Sequence, residues 1–249
     1  MKLGWLFRGL RTGVVTTRYP NSLDDELAGI RGIPYIDVTA GHDTACEKTC
    51  AQSCLSGALR YDESSRVLEL KEEACIMCGL CAKACPHDAV AMSSDVELAV
   101  LKQRVRNDVN RLFRRSLHLR HVDAGSCNGC ESEIKMLMSP FYDLHRLGIF
   151  ISTSPRAADG LLITGPVTRA MEAPLRRTYE ATADPKLVIA TGACASTGGI
   201  FAGGSLTHEG AGAVLPVDVT IPGCPPTPIA LLHGLLLALG RARQRAGAR

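Results

Sequence analysis

Four cysteines at spacings of two, two and three residues, closed by a proline, run through CIMCGLCAKACP at residues 75–86. Three more stand upstream in CEKTCAQSC (Cys46, Cys50, Cys54), and four follow at Cys127, Cys130, Cys194 and Cys224. Eleven is an odd count, and 249 residues is too long for a small disulfide scaffold. The opening MKLGWLFRGL is interrupted by Arg8 and lacks a small-residue cleavage site, so it does not read as a secretory signal. The longest apolar run, residues 229–239, falls short of the roughly 18 residues a membrane span requires. The expected compartment is a reducing cytoplasm, where thiolates serve as metal ligands rather than as disulfides. A net charge of +3 gives no argument for a nucleic-acid partner.

Cys75, Cys78, Cys81 and Cys85, followed by Pro86, match the C-x2-C-x2-C-x3-C-P spacing of bacterial ferredoxins. Thiolates two residues apart wrap one face of an iron–sulfur cube, and Gly79 eases the tight turns between them. The fourth cysteine of such a run points to a neighbouring cluster. The first cube then needs another ligand. Cys54 is followed by LSGAL and Cys85 by PHDAV, which resemble each other as halves of a duplicated unit. Cys54, Cys75, Cys78 and Cys81 are therefore assigned to one [4Fe–4S] cluster. Zinc is disfavoured here, because it usually pairs two separated C-x2-C knuckles or adds histidines. Cys46, Cys50 and Cys85 remain, and their upstream spacing of three and three is irregular. Three readings stay open for them: a [3Fe–4S] cluster, a [4Fe–4S] cluster completed by His42 or Asp43, or an empty site.

The later cysteines lie in DAGSCNGCE, TGACASTGG and IPGCPPTP, each shortly after an expected strand (LRHVD, KLVIAT, VDVTI). Loops beyond the carboxyl ends of parallel strands converge on one crevice. Cys127, Cys130, Cys194 and Cys224 can thus meet and hold a second [4Fe–4S] cluster. Glycines and prolines around them suit close backbone approach to a bulky group. The glycine-rich TGACASTGGIFAGG lacks the lysine of a phosphate-binding loop.

The chain divides into an N-terminal docking arm (1–35), an α+β ferredoxin-like iron–sulfur domain (36–93), a linker helix (94–117) and an α/β domain with a flavodoxin-like parallel sheet (118–249). Trp5, Leu6, Phe7 and Leu10 form one apolar face of a short helix beside Lys2, Arg8 and Arg11, suited to a membrane subunit or the lipid surface. The alternative is a terminus packed on its own domain. The linker helix is expected from Leu98, Leu101, Val105, Val109 and Leu112 at three- and four-residue steps. Beyond 118, short apolar runs alternate with helical stretches near 167–180 and 226–242, the pattern of a parallel sheet.

CNGCE, LLITGPVTRAMEAPLRRTYE, VIATGACASTGGIF and LPVDVTIPGCPP resemble the small subunit of complex-I-related membrane-bound [NiFe] hydrogenases, a family that includes the complex I 20 kDa subunit. The likeness spans roughly 118–242. The first half, with GLRTGVVTTRYP, resembles the ferredoxin-like subunit of formate hydrogenlyase-type complexes, so the chain looks like a fusion of two subunits. The resemblance implies that Cys127, Cys130, Cys194 and Cys224 hold the proximal cluster beside a partner large subunit carrying nickel and iron. It also implies membrane-subunit partners and a peripheral place on the inner face of the cell membrane. The complex I subunit typically has two adjacent cysteines where this chain has Cys127-Asn-Gly-Cys130, which favours the hydrogenase branch. Glu131 and Glu133 are expected as surface or helix N-terminal carboxylates, with a proton relay as the alternative. The rival functions are a quinone-linked oxidoreductase subunit, a free ferredoxin-type carrier and a structural zinc protein.

Overall fold

Apolar residues at three- and four-residue steps form the first helix, α1 (Gly4–Thr12), which Gly13 ends in the left-handed conformation at φ 67°. None of its residues is buried: Trp5 is 72% exposed, Phe7 67% and Leu10 73%. Directly after it the chain is tied down. Thr16 Oγ1 donates to the Pro140 carbonyl at 2.9 Å, Thr17 N–H donates to the Phe141 carbonyl at 2.7 Å, and Tyr19 is buried. The computed structural model describes residues 4–23, 29–37, 44–65, 67–101, 112–113 and 115–242.

The cysteine-rich half is built from β1 (Pro34–Ile36), α2 (Thr44–Gln52), β2 (Leu59–Asp62), β3 (Val67–Leu70), α3 (Leu80–Ala84) and β4 (Val90–Met92). β1 pairs antiparallel with β4, and β2 with β3. The duplication read in the sequence is visible in the backbone. The Leu59 N–H bonds Cys54 Sγ at 3.3 Å, and the Val90 N–H bonds Cys85 Sγ, five residues on in each case.

The second half holds β5 (Val100–Leu101), β6 (Leu117–Asp123), α4 (Gly129–Met136), β7 (Ile149–Ile151), β8 (Gly160–Thr164), α5 (Arg169–Ala181), β9 (Leu187–Thr191), α6 (Gly192–Thr197), β10 (Val219–Ile221) and α7 (Pro228–Ala238). The sheet order is β5-β10-β9-β8-β6-β7. Its five parallel strands, counted from the first, run 2-1-3-4-5, a doubly wound order. Alternate residues feed two cores. Leu162 and Ile189 pack with α7 on one face, while Leu161, Ile163 and Val188 pack with Leu175 of α5 on the other. Strands buried on both faces read as continuous apolar runs, as GLLIT and LVIAT do. α7 is apolar all round because it is enclosed. Gly234 lets it close on the sheet: a Cβ there would lie 2.6 Å from Ile221.

The helix expected over 94–117 is corrected where the structure describes it. Val96, Leu98 and Ala99 are buried in chain without regular secondary structure, and Val100 and Leu101 form an antiparallel strand against Thr220 and Val219. The physical reason is the open edge of β10, whose unpaired backbone groups this segment satisfies. Val105 and Val109 lie outside the described residues, whereas Leu112 is described and exposed.

Candidate metal centres

The loops after β6, β9 and β10 bring Cys127, Cys130, Cys194 and Cys224 to the carboxyl edge of the sheet. Local chemistry shapes the first loop. The Asp123 carboxylate accepts the N–H groups of Gly125 and Ser126 at 2.9 and 2.8 Å, and Asn128 turns left-handed (φ 67°) into α4. Cys130 stands in the first turn of α4 and Cys194 in α6. The Ala193 N–H donates to the Gly223 carbonyl at 2.8 Å, which locks the second loop to the third. Gly192 sits at φ +86° between Cys130 and the third loop. A Cβ there would lie 2.7 Å from Cys130 Sγ and 3.4 Å from the Gly223 carbonyl oxygen. Only a residue without a side chain leaves that space to the sulfurs. Burial, then Glu131 and the other three thiols, pushes Cys130 up to about 12. Burial, then Cys224 and Cys127, pushes Cys194 up to about 11. Burial raises Cys224 as well. Four clustered thiols, three of which resist ionising unaided, are the donor set an iron–sulfur cluster takes, since bound iron supplies the compensating charge.

Beneath this set lies a polar group not foreseen in the sequence. Glu131 is 8% exposed, and its Oε1 accepts a short hydrogen bond from the Thr164 hydroxyl. His121 Nε2 lies 3.0 Å from Thr164 Oγ1 and 3.5 Å from Glu131 Oε1. Glu131 is a helix N-terminal carboxylate as expected, but it is not on the surface. The sheet covers it, because Thr164 and His121 project from neighbouring strands onto the first turn of α4. Glu133 is half-buried, and burial raises its carboxyl.

Cys54, Cys75, Cys78 and Cys81 line one narrow pocket, walled otherwise mainly by apolar residues such as Leu59, Leu70 and Met92. Backbone N–H groups point at its sulfurs: Leu59 to Cys54, and Met77 to Cys75 at 3.4 Å. Gly79 at φ +76° makes the turn into α3, and Arg31 Nη1 approaches the Cys78 carbonyl at 3.4 Å. Burial drives Cys75 up to about 11 and raises Cys81. A pocket with four thiols on its wall, sulfur-directed N–H groups and no carboxylate fits the same kind of cluster.

The irregular upstream spacing has a helical cause. α2 sets Cys46 and Cys50 one turn apart on one face, and Cys85 comes off the end of α3. Their three sulfurs lie within 4.8 Å of one another, with Cys46 Sγ 3.5 Å from Cys85 Sγ, and all three are buried. His42 and Asp43, the alternative fourth ligands, lie outside the described residues.

The two cysteine quartets face a common seam. The turn at Glu72–Ala74, just before Cys75, packs against α6, which carries Cys194. The Thr220 hydroxyl donates to Glu73 Oε1 across it at 3.2 Å.

Residues 127–238 match the family described as NADH ubiquinone oxidoreductase, 20 Kd subunit, and residues 68–91 match the 4Fe-4S binding domain. Formate hydrogenlyase subunit 7 of Escherichia coli K12 is 45% identical over 168 residues, 66% of this chain and 64% of that protein. The chain thus spans a little under two thirds of that relative's length. A probable membrane-bound hydrogenase subunit, mbhJ of Pyrococcus furiosus, is 44% identical over 148 residues, 59% of this chain and 88% of that protein. One chain of the membrane-bound sulfane sulfur reductase, an archaeal respiratory membrane complex, aligns at 37% identity with a TM-score of 0.47, covering 53% of this chain and 72% of that one.

Proposed function

Because the chain belongs to the family of the NADH ubiquinone oxidoreductase 20 kDa subunit, we propose that it is the electron-transfer subunit of a membrane-associated [NiFe] hydrogenase complex. The nickel–iron site would stand on a partner large subunit. Cys127, Cys130, Cys194 and Cys224 would hold the proximal [4Fe–4S] cluster, and Cys54, Cys75, Cys78 and Cys81 a second one. When bound, such a cluster supplies one-electron redox chemistry at a potential tuned by its surroundings. The first half is read as an α+β ferredoxin-like domain and the second as a flavodoxin-like α/β domain.

The observation that carries this reading is the convergence of four thiols from three separate loops, Cys127, Cys194 and Cys224 all acting on the Cys130 thiol, with Gly192 placed where a Cβ would lie 2.7 Å from Cys130 Sγ. The chain's own residues do the positioning. Asp123 folds the first loop, and Thr164 with His121 holds Glu131 and so the turn bearing Cys130. The Glu73–Thr220 bond ties the two halves together at the seam between the quartets. Sulfur-directed N–H groups at Cys54 and Cys75 shape the electronic environment of those sulfurs.

Among the described residues no helix is long and apolar enough to cross a membrane. Peripheral attachment on the inner face of the cell membrane, beside membrane subunits, is supported by α1, whose Trp5, Phe7 and Leu10 find no cover among the described residues. The decisive assay is hydrogen-dependent reduction of a viologen dye by the anaerobically purified complex. Activity that requires hydrogen is expected. Quinone reduction with no response to hydrogen would place the chain in the complex-I-like branch instead.

A further inference from the structure

We propose that Cys46, Cys50 and Cys85 bind a single thiophilic d10 cation of the zinc class, in place of a third iron–sulfur cluster.

The argument is one of sulfur spacing. Sulfurs about 2.3 Å from one tetrahedral zinc stand about 3.8 Å apart and cannot exceed about 4.6 Å. Cys46 Sγ and Cys85 Sγ are 3.5 Å apart, and Cys50 completes a trio within 4.8 Å. In a cuboidal cluster each thiolate binds its own iron and points outward, so its sulfurs are held farther apart than any that share an ion. The same molecule provides the comparison. Among the described residues, neither quartet brings three sulfurs within 4.8 Å of one another. Among the described residues the trio alone draws three sulfurs together closely enough to suit one ion.

Two further features agree. The donors are all thiols, and no described histidine or carboxylate joins the trio, which suits a soft ion. Its sulfurs are also sealed. Cys46, Cys50 and Cys85 are 3%, 1% and 6% exposed, whereas each quartet has at least one exposed cysteine (Cys78; Cys127 and Cys224). A buried ion bridging α2 to the end of α3 would staple the far side of this half, as structural metals do in small domains. Soft thiolates select zinc or copper(I) among single ions, and both have a filled d shell.

The test is metal analysis of the full chain in its complex, purified without oxygen and with no added metal. One zinc or copper equivalent per chain is expected, with an X-ray absorption shell of three sulfurs, at about 2.3 Å for zinc. Cys50→Ser should cut that equivalent to near zero and leave iron unchanged. Cys78→Ser should lower iron and leave it in place. A third cluster signal with iron to match, no zinc or copper, or an equivalent that survives both Cys46→Ser and Cys50→Ser would overturn the proposal. If neither serine variant folds, the wild-type absorption spectrum decides, since a shell without sulfur overturns it as well. Iron in the quartets reports on the proposed function and the d10 metal on this inference, so either can fail alone.

Discussion

Replacing Cys194 with serine should strip about four irons from each chain and erase one cluster signal in electron paramagnetic resonance. The signal from the cysteine-rich half should remain. Serine keeps the shape but exchanges a soft sulfur donor for a hard hydroxyl that binds iron poorly. Hydrogen-dependent dye reduction should fall by more than the roughly 10–100-fold typical of losing an outer-shell partner of a metal site, because a ligand itself is lost. The selectivity follows from the fold. Cys194 is carried by α6 after β9 and shares its crevice with Cys127, Cys130 and Cys224, while Cys54, Cys75, Cys78 and Cys81 line a separate cavity. Simultaneous disappearance of both signals would show that the two sites do not form independently.

Gly192→Ala should have nearly as large an effect although it removes no ligand. At φ +86° any L-residue is strained by roughly 1–2 kcal/mol. The new Cβ would also sit 2.7 Å from Cys130 Sγ. The sulfur can rotate away, so the fold survives, but the sulfur then leaves the donor set. Gly203 supplies a matched control: its φ is +76°, and a Cβ there meets nothing within 4 Å. Both variants should melt a few degrees lower, as a loss of about 1 kcal/mol implies for a domain of this size. Only Gly192→Ala should lose iron from the second half. Equal iron in the two variants would mean that Gly192 serves the turn and not the site.

The quartets were legible because ligand spacing and strand-end placement are local signals. C-x2-C-x2-C is visible without a fold, and GLLIT, KLVIAT and VDVTI announce buried strands whose ends must converge. The 94–117 segment misled because Leu98 and Leu101 stand at a helical step and also suit a buried extended edge. Only the need of β10 for a partner decides between them. The spacing of Cys46, Cys50 and Cys54 reads as irregular beside a ferredoxin run, although a repeated three-residue gap is itself a helical step. Glu131, Thr164 and His121 could not be joined from sequence, since their contact depends on how β8 lies beside β6. The same holds for Tyr19 Oη and His233 Nδ1, 3.0 Å apart across 214 residues.

Iron and acid-labile sulfide, counted per chain in a complex kept free of oxygen, address the central claim most directly. About eight of each are predicted, four per quartet. Four or fewer irons in an intact, fully folded preparation would contradict it, as would an iron content that neither Cys75→Ser nor Cys194→Ser lowers.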